Sequence, residues 1–487
     1  MKVKVGVAWV GACCIALAMT ACGGDAPKTE DTVPPEDTLD AVDTALPDTE
    51  LPDTVAEVDD DGLDADTGDT DVFEIFDPNG PVYPTSSKIE HLVLIVMENH
   101  TFDSYFARWC TAATGSAPDC TEGHGCCEAG PDTVGISPMI LDDSTNGQED
   151  RNHDYDCELD EINGGAMDRF VFGLPGCAKP ANFAYAELGG PAAPYHDLAV
   201  AGALADHWFQ PVVGQTSSND MFFARAGYVF KDNDAGPSSI GKTCSIITAP
   251  PATFFDTNIG DLLDAARVTW TVYAEGYDAM VHAVDRGNCP RAPTDCPIHL
   301  SVYPCIYDPT DIPFNYYPSV ADDPDHMKDL QTFHEQLALG QLPAWSYLKP
   351  IGYKTNHPGY LNTISAGANW MQAIVEEILA SPIYADNTLV LITMDEGGGF
   401  YDHVPPPPAN RYDRQPYGTR VPTIAVGPFV KPGTISHVVL EHSSIVKFIE
   451  WNFLGGTTGQ LGTRDANVHN IGSLLDATKT GTPVPSD

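Results

Sequence analysis

Four apolar, β-branched runs of strand length, "HLVLIV", "VTWTVY", "LVLIT" and "VPTIAV", constrain this chain more than any other feature. Between and around them lie stretches of helical periodicity, "DLAVAGALADHW", "MKDLQTFHEQLALG" and "SAGANWMQAIVEEILAS". An unbroken apolar strand has to be covered on both faces, and alternation with helices supplies the cover. The pattern predicts one α/β unit from about residue 78 to 475, built on a largely parallel sheet between helical layers.

Ligands of such sheets bind beyond the carboxyl ends of the strands. Two of the runs end there in oxygen-bearing pairs. "LVLIVMENHTFD" leads from its strand into Glu98 and Asn99, and "LVLITMDEGGGFYDHVPPPP" leads into Asp395 and Glu396 and then three glycines. Either pair alone is accounted for by a helix cap or a solvated loop. Two pairs, each directly after a buried strand, are expected to converge on one cation of the hard or borderline kind.

A nucleophile is available in "DHWFQPVVGQTSSNDMFF". Gly214 permits a tight turn, Thr216 follows it, and Asn219 lies three residues on at the start of a helix-like stretch. A hydroxyl at a helix N-terminus gains from the positive end of the dipole, and free N–H groups there can hold phosphate. By itself "GQTSSND" is also a good N-cap.

The N-terminus reads as an export signal. "MKVKVGVAWVGACCIALAMTACGGD" has two lysines, a short apolar core and small residues before Cys22. The ending Met19-Thr20-Ala21-Cys22 is similar to a lipobox, so residues 1–22 are expected to be a lipoprotein signal with Cys22 the lipid-bearing residue. Residues 23–77 carry 20 Asp or Glu and one Lys, and their composition predicts a disordered acidic tether. The expected location is the bacterial cell envelope, lipid-anchored on its periplasmic side or at the cell surface. The tail 476–487 also reads as disordered.

Of a formal charge of −45, the tether contributes −19 and the two signal lysines +2, leaving −28 for residues 78–487. That acidity argues against a nucleic-acid partner, because phosphate backbones need Lys and Arg. No protein partner is indicated. Ten cysteines remain after Cys13, Cys14 and Cys22, an even number that in an exported chain predicts disulfides. They cluster in 110–177 and 244–305, which read as stapled insertions of unreadable connectivity.

The three islands, "ENHTFD", "GQTSSN" and "DEGGGFYDHVPPP", together resemble the bacterial phosphoesterase family of phospholipases C and acid phosphatases, within the alkaline phosphatase–sulfatase superfamily. The resemblance covers roughly residues 88–454 and implies an alkaline phosphatase-like three-layer α/β/α sandwich. It departs at His100, Gln215, Asp220 and Gly397, of which Asp220 adds a negative charge beside the expected phosphate pocket. A sulfatase would need a C-x-P-x-R core, which the sequence lacks.

The resemblance implies a phosphoric ester hydrolase acting on a phosphomonoester or on a phospholipase C-type diester. It implies one divalent metal ion (Zn, Ca or Mg) held by Glu98, Asn99, Asp395 and Glu396, with Thr216 as ligand and nucleophile through a phosphothreonine. The Asn219 amide is expected to bond a phosphate oxygen. His153, His357 and His403 are the expected pocket histidines for leaving-group protonation. Asp103 is expected to orient the turn below the metal, and His442 to cap a helix with Ser443. The competing reading is a non-catalytic surface lipoprotein that binds an anionic or carbohydrate ligand on the same fold.

Overall fold

The computed structural model describes residues 84–230, 238–244 and 250–487. The signal, Cys22 and tether readings lie outside the described residues. Ten strands follow in chain order: β1 (His91–Met97), β2 (Met139–Ile140), β3 (Ala184–Tyr185), β4 (Ala203–Ala205), β5 (Trp270–Ala274). The rest are β6 (Met327–Asp329), β7 (Trp345–Lys349), β8 (Thr388–Met394), β9 (Thr423–Val426) and β10 (Thr434–Ser436). Eight form the main sheet in the order β10-β4-β9-β8-β1-β7-β5-β6, and β2 pairs with β3 apart from it.

From β8 to β6 neighbouring strands are parallel, whereas β9 runs antiparallel to both β8 and β4. The sheet is thus largely parallel, as expected, with "VPTIAV" its antiparallel member. That strand reaches the sheet through a loop from β8 with no helical crossover, and only a crossover would bring it back parallel. Helices form two groups. His442–Phe453 packs with Thr216–Arg225 and Ile259–Ala265, and Ile364–Ala380 packs with Ala193–Ala201 and Asp143–Gln148.

Six of the seven residues of β1 are buried, and so is the whole of β8. Each large aliphatic side chain fully buried there contributes about 1.5–3 kcal/mol of transfer free energy. That burial makes the central strands the rigid floor on which their carboxyl-end residues stand. Among the described residues no helix is long and apolar enough to cross a membrane.

Two expectations change. "DLAVAGALADHW" is half helix: the helix Ala193–Ala201 ends before Gly202, and residues 203–205 turn into β4. At Gly202 a side chain would collide with the Ala425 carbonyl at 2.2 Å, so glycine lets helix and strand meet β9 closely. The tail 476–487 packs against the body. Thr480 O accepts from Lys88 N at 2.8 Å, Pro485 O accepts from Gly472 N at 3.0 Å, and Val484 is buried. Its low periodicity means irregular backbone, which these bonds and one apolar anchor are enough to hold.

The ten cysteines form five disulfides, Cys110–Cys127, Cys120–Cys126, Cys157–Cys177, Cys244–Cys289 and Cys296–Cys305. All are local and staple the two insertions where those were expected.

Candidate active site

The sheet order makes β8, β1 and β7 neighbours, so their carboxyl ends bring Asp395-Glu396, Glu98-Asn99 and Lys349 side by side. Asp395 N donates to Met97 O at 3.0 Å, and Asn99 N donates to Asp395 Oδ1 at 3.1 Å. Asn99 has φ 62°, a left-handed conformation that a non-glycine residue adopts at a cost and that recurs at functional turns. Gly398 faces it. A Cβ there would lie 2.4 Å from the Asn99 carbonyl, so the glycine run lets the turn after β8 close over the turn after β1.

Glu98, Asn99, Asp395 and Glu396 are all buried. Lys349 Nζ lies 2.7 Å from Glu98 Oε1 and 4.0 Å from Asp220 Oδ2, as an ion pair not aligned for a hydrogen bond. Tyr303 and Thr355 hydroxyls each donate to Glu98 Oε2 at 3.1 Å. Burial pushes the Glu98 carboxyl up most strongly, but Lys349 together with His357 and the Tyr303 hydroxyl outweighs it and holds the carboxyl below the usual range. Burial pushes Asp395 up to about 6, and burial drives Glu396 and Asp220 well up. One ammonium does not balance four carboxyls.

Asn99 Oδ1, Asp395 Oδ2 and Glu396 Oε1 accept no hydrogen bond, and Glu98 Oε1 meets only the Lys349 ammonium. Buried oxygens normally find a donor, so a set of unpartnered ones on adjacent strand ends fits a hard divalent cation.

Thr216 opens the helix Thr216–Arg225, with Gln215 as the capping residue and no side-chain cap bond. Asp220 is four residues on, so the two lie on one helix face, and Asp220 faces Lys349. The turn before Thr216 is braced from below. Glu158 Oε2 accepts from Gly214 N at 2.8 Å and from Gln210 Nε2 at 3.0 Å, while Glu158 Oε1 accepts from Thr419 N at 3.2 Å. The Asn219 amide is used in that brace. Its Oδ1 accepts from Val212 N, and its Nδ2 donates to Gly214 O and Gln215 O at 2.9 and 3.2 Å. Asn219 therefore shapes the Thr216 turn instead of presenting a donor to phosphate.

The histidines separate into different roles. His153 Nδ1–H donates to Arg151 O at 2.6 Å and His357 Nδ1–H to Pro358 O at 2.6 Å, which leaves each Nε2 for the pocket. His153 Nε2 lies 3.6 Å from Glu396 Oε1, and the two rings are 6.3 Å apart. Burial lowers the His153 pKa. His403 stands elsewhere: its Nδ1 meets Asp103 Oδ2 at 2.7 Å and its Nε2 meets Glu128 Oε2 at 3.2 Å. Both ring nitrogens are occupied by carboxylates, so His403 belongs to a structural network and not to the pocket.

In that network buried Arg420 donates to Asp103 Oδ1 at 3.0 Å and Asp402 Oδ1 at 2.9 Å. Arg420 thereby ties the segment after Asn99, through Asp103, to the loop after the glycines, through Asp402. His442 is not the helix cap. Glu441 N donates to Ser444 Oγ at the cap, while His442 Nε2 donates to the Asp395 carbonyl at 2.6 Å and Nδ1 accepts from Trp208. Sequence reasoning did not reach the supporting contacts of Lys349, Arg420, Glu158 and His442. Only Lys349, in "LPAWSYLKP", had a signal, as a charge at the end of an apolar run.

A family model described as the Phosphoesterase family matches residues 89–454. Phospholipase C B of Mycobacterium tuberculosis is 23% identical over 453 residues, covering 82% of this chain and 79% of that protein. A non-hemolytic phospholipase C of Pseudomonas aeruginosa is 24% identical over 417 residues, 75% of this chain and 54% of that one. Non-specific phospholipase C5 of Arabidopsis thaliana is 26% identical over 287 residues, covering 52% of this chain and 45% of its own length. Among solved structures, the lipoteichoic acid synthase LtaP of Listeria monocytogenes aligns with TM-score 0.35 at 11% identity, over 80% of this chain and 78% of that one. An alkaline phosphatase superfamily protein of Vibrio parahaemolyticus aligns with TM-score 0.33 at 10% identity, over 58% and 65%.

Proposed function

The chain belongs to the Phosphoesterase family, and from that premise we propose that it hydrolyses phosphoric esters with Thr216 as nucleophile. The observation that carries the reading is the trio of buried oxygens without a hydrogen bond, on Asn99, Asp395 and Glu396, at the ends of β1 and β8 beside the Thr216 helix. Glu98, Asn99, Asp395 and Glu396 would hold the divalent metal, with Thr216 at its open side. When bound, it would supply charge stabilisation and lower the pKa of an oxygen nucleophile.

The residues of the chain divide the remaining work. Thr216 Oγ attacks phosphorus in line, forming a new O–P bond as the ester P–O bond breaks, and leaves a phosphothreonine that water then hydrolyses. The Thr216 turn, fixed by Glu158 and Asn219, exposes backbone N–H groups at the helix start to the phosphoryl oxygens. His153 and His357, each with Nδ1–H pinned to a carbonyl, present Nε2 lone pairs: one takes up the proton that Thr216 Oγ gives up, and the imidazolium so formed hands it to the leaving oxygen.

Apolar surface beside His357 favours an ester with an apolar part. Tyr303 and Tyr360 pack edge to face at 5.3 Å beside His357, and Leu300, Val302 and Leu361 near them are exposed. A phospholipase C-type diester fits that surface, in line with the names of the relatives. The lipid anchor at Cys22 would place such an enzyme at a membrane of the cell envelope.

The test compares p-nitrophenyl phosphate, its diester and p-nitrophenylphosphorylcholine with the full chain, with and without chelator, in wild type and Thr216→Ala. Chelator-sensitive turnover that falls by at least about 10³-fold in Thr216→Ala is the expected result. Undiminished turnover in Thr216→Ala would exclude a threonine nucleophile. Undiminished turnover in chelator would remove the metal from the reading.

A further inference from the structure

The sheet repeats, at its far edge, the arrangement that builds the active site. β10 and β4 are parallel neighbours with Ser436 opposite Ala205, so the next residues, His437 and Asp206, leave their carboxyl ends together. His207 follows. Asp206 is buried, and His207 Nδ1 lies 2.7 Å from its Oδ1. His437 Nδ1 lies 3.0 Å from the same oxygen and 2.8 Å from Oδ2. One ligand atom from each residue falls within 4.8 Å of the others. Two imidazoles thus aim the same nitrogen at one carboxylate.

The other side of His437 decides which nitrogen is free. Its Nε2 lies 2.7 Å from the Cys120 carbonyl, which only accepts, so Nε2 keeps its proton and Nδ1 is the nitrogen an ion could take. Without an ion, Nδ1 also carries a proton toward Asp206; once an ion displaces that proton, a ring backed by a carbonyl in this way holds its Nδ1 lone pair forward, the arrangement found behind metal-bound histidines. His207 is about a third exposed and His437 lines a cavity of about 530 Å³ with Glu122, Lys431 and Ser436, so the cluster is open to an incoming ion.

We propose that Asp206, His207 and His437 bind a zinc ion as a second, structural metal site, separate from the ester-hydrolysing pocket. Two imidazoles and a carboxylate are a donor set suited to zinc, with the fourth position left to solvent. Binding replaces any Nδ1 protons. Tetrahedral donors at about 2.0–2.2 Å from zinc lie about 3.3–3.6 Å apart, so the imidazole–carboxylate spacings of 2.7 and 3.0 Å would widen by about half an ångström. The site would lock the first disulfide-stapled insertion to the sheet edge. Cys120 supplies the backing carbonyl, Gly123 N donates to Gly433 O, and Ile435 N donates to Thr121 O at 2.9 Å.

The test is a metal count on the full chain, stripped with chelator, exposed to ZnCl2, desalted and measured by elemental mass spectrometry. Wild type, His207→Gln and His207→Gln/His437→Gln are compared, with circular dichroism to verify folding. Wild type is expected to retain about one zinc equivalent more than the double variant, and only wild type should gain a zinc-dependent rise in Tm from this site. If the double variant misfolds, His207→Gln decides the matter, since the exposed ring can be replaced without disturbing the core. Equal zinc content and equal zinc-induced Tm shifts in wild type and His207→Gln would overturn the proposal and leave the cluster a hydrogen-bonded ion pair.

Discussion

Lys349 ends an apolar strand, a place from which a lysine ordinarily reaches solvent. Here it is buried between Glu98 and Asp220, because β7 lies directly beside β1. Glu98, Asn99, Asp395 and Glu396 were legible in sequence because each pair follows a recognisable strand. Lys349 was not, because its role depends on which strand stands next to which. Asn219 shows the converse: its position in the motif was readable, but an amide's partners are set by the shape of a turn. Removing one member of a buried ion pair leaves the other charge uncompensated. Lys349→Met is therefore expected to lower the stability of the chelated protein by about 3–5 kcal/mol in urea denaturation. A loss below about 1 kcal/mol would mean that Glu98 is held by Tyr303 and Thr355 alone.

At the scale of elements, the long strands β1, β5 and β8 and the helix Ile364–Ala380 were legible because their periodicity is complete within the segment. β4, β6 and β10 are three residues each, too short to carry a period, and they exist because neighbouring strands pair with them. The contact between the ends of β1 and β8 depends on Gly398, whose φ of 63° and missing Cβ let the two turns touch. In Gly398→Ala the methyl would meet backbone, which cannot swing aside as a side chain can. A loss of about 1–3 kcal/mol in stability is expected, with a fall in ester turnover larger than the loss of folded protein explains. Thermal melts and turnover on the same samples check this. Wild-type turnover in a destabilised variant would detach the Asn99 geometry from the reaction.

For the whole molecule, the buried carboxyls set a dependence on pH. Burial pushes Glu158 up to about 7, and burial with Asp465 nearby pushes Glu450 up to about 8, both from an ordinary value of 4.5. Between those values the folded chain binds protons that the unfolded chain has lost, so stability falls as pH rises toward 8. His437 has the same sign. Its hydrogen bond to Asp206 raises its pKa, so its contribution is complete below 6.5 and is lost as pH climbs through the raised value. Asp103 and Asp206 act oppositely: burial raises each, their histidine partners lower them further, and their contribution is lost only in acid as pH falls through the depressed values. The urea midpoint of chelated protein should thus be highest near about pH 5 and decline towards pH 8.5. Glu450→Gln should flatten the decline even though it weakens the fold outright. Glu450 Oε1 accepts from Gln460 N and Leu461 N and its Oε2 from Gly459 N, and a carboxamide has one acceptor oxygen for the three donors. The slope against pH, not the midpoint at one pH, is therefore the quantity that reads the Glu450 proton. An unchanged slope in Glu450→Gln would place that carboxyl among the ionised groups throughout and assign the decline to Glu158 and the histidines.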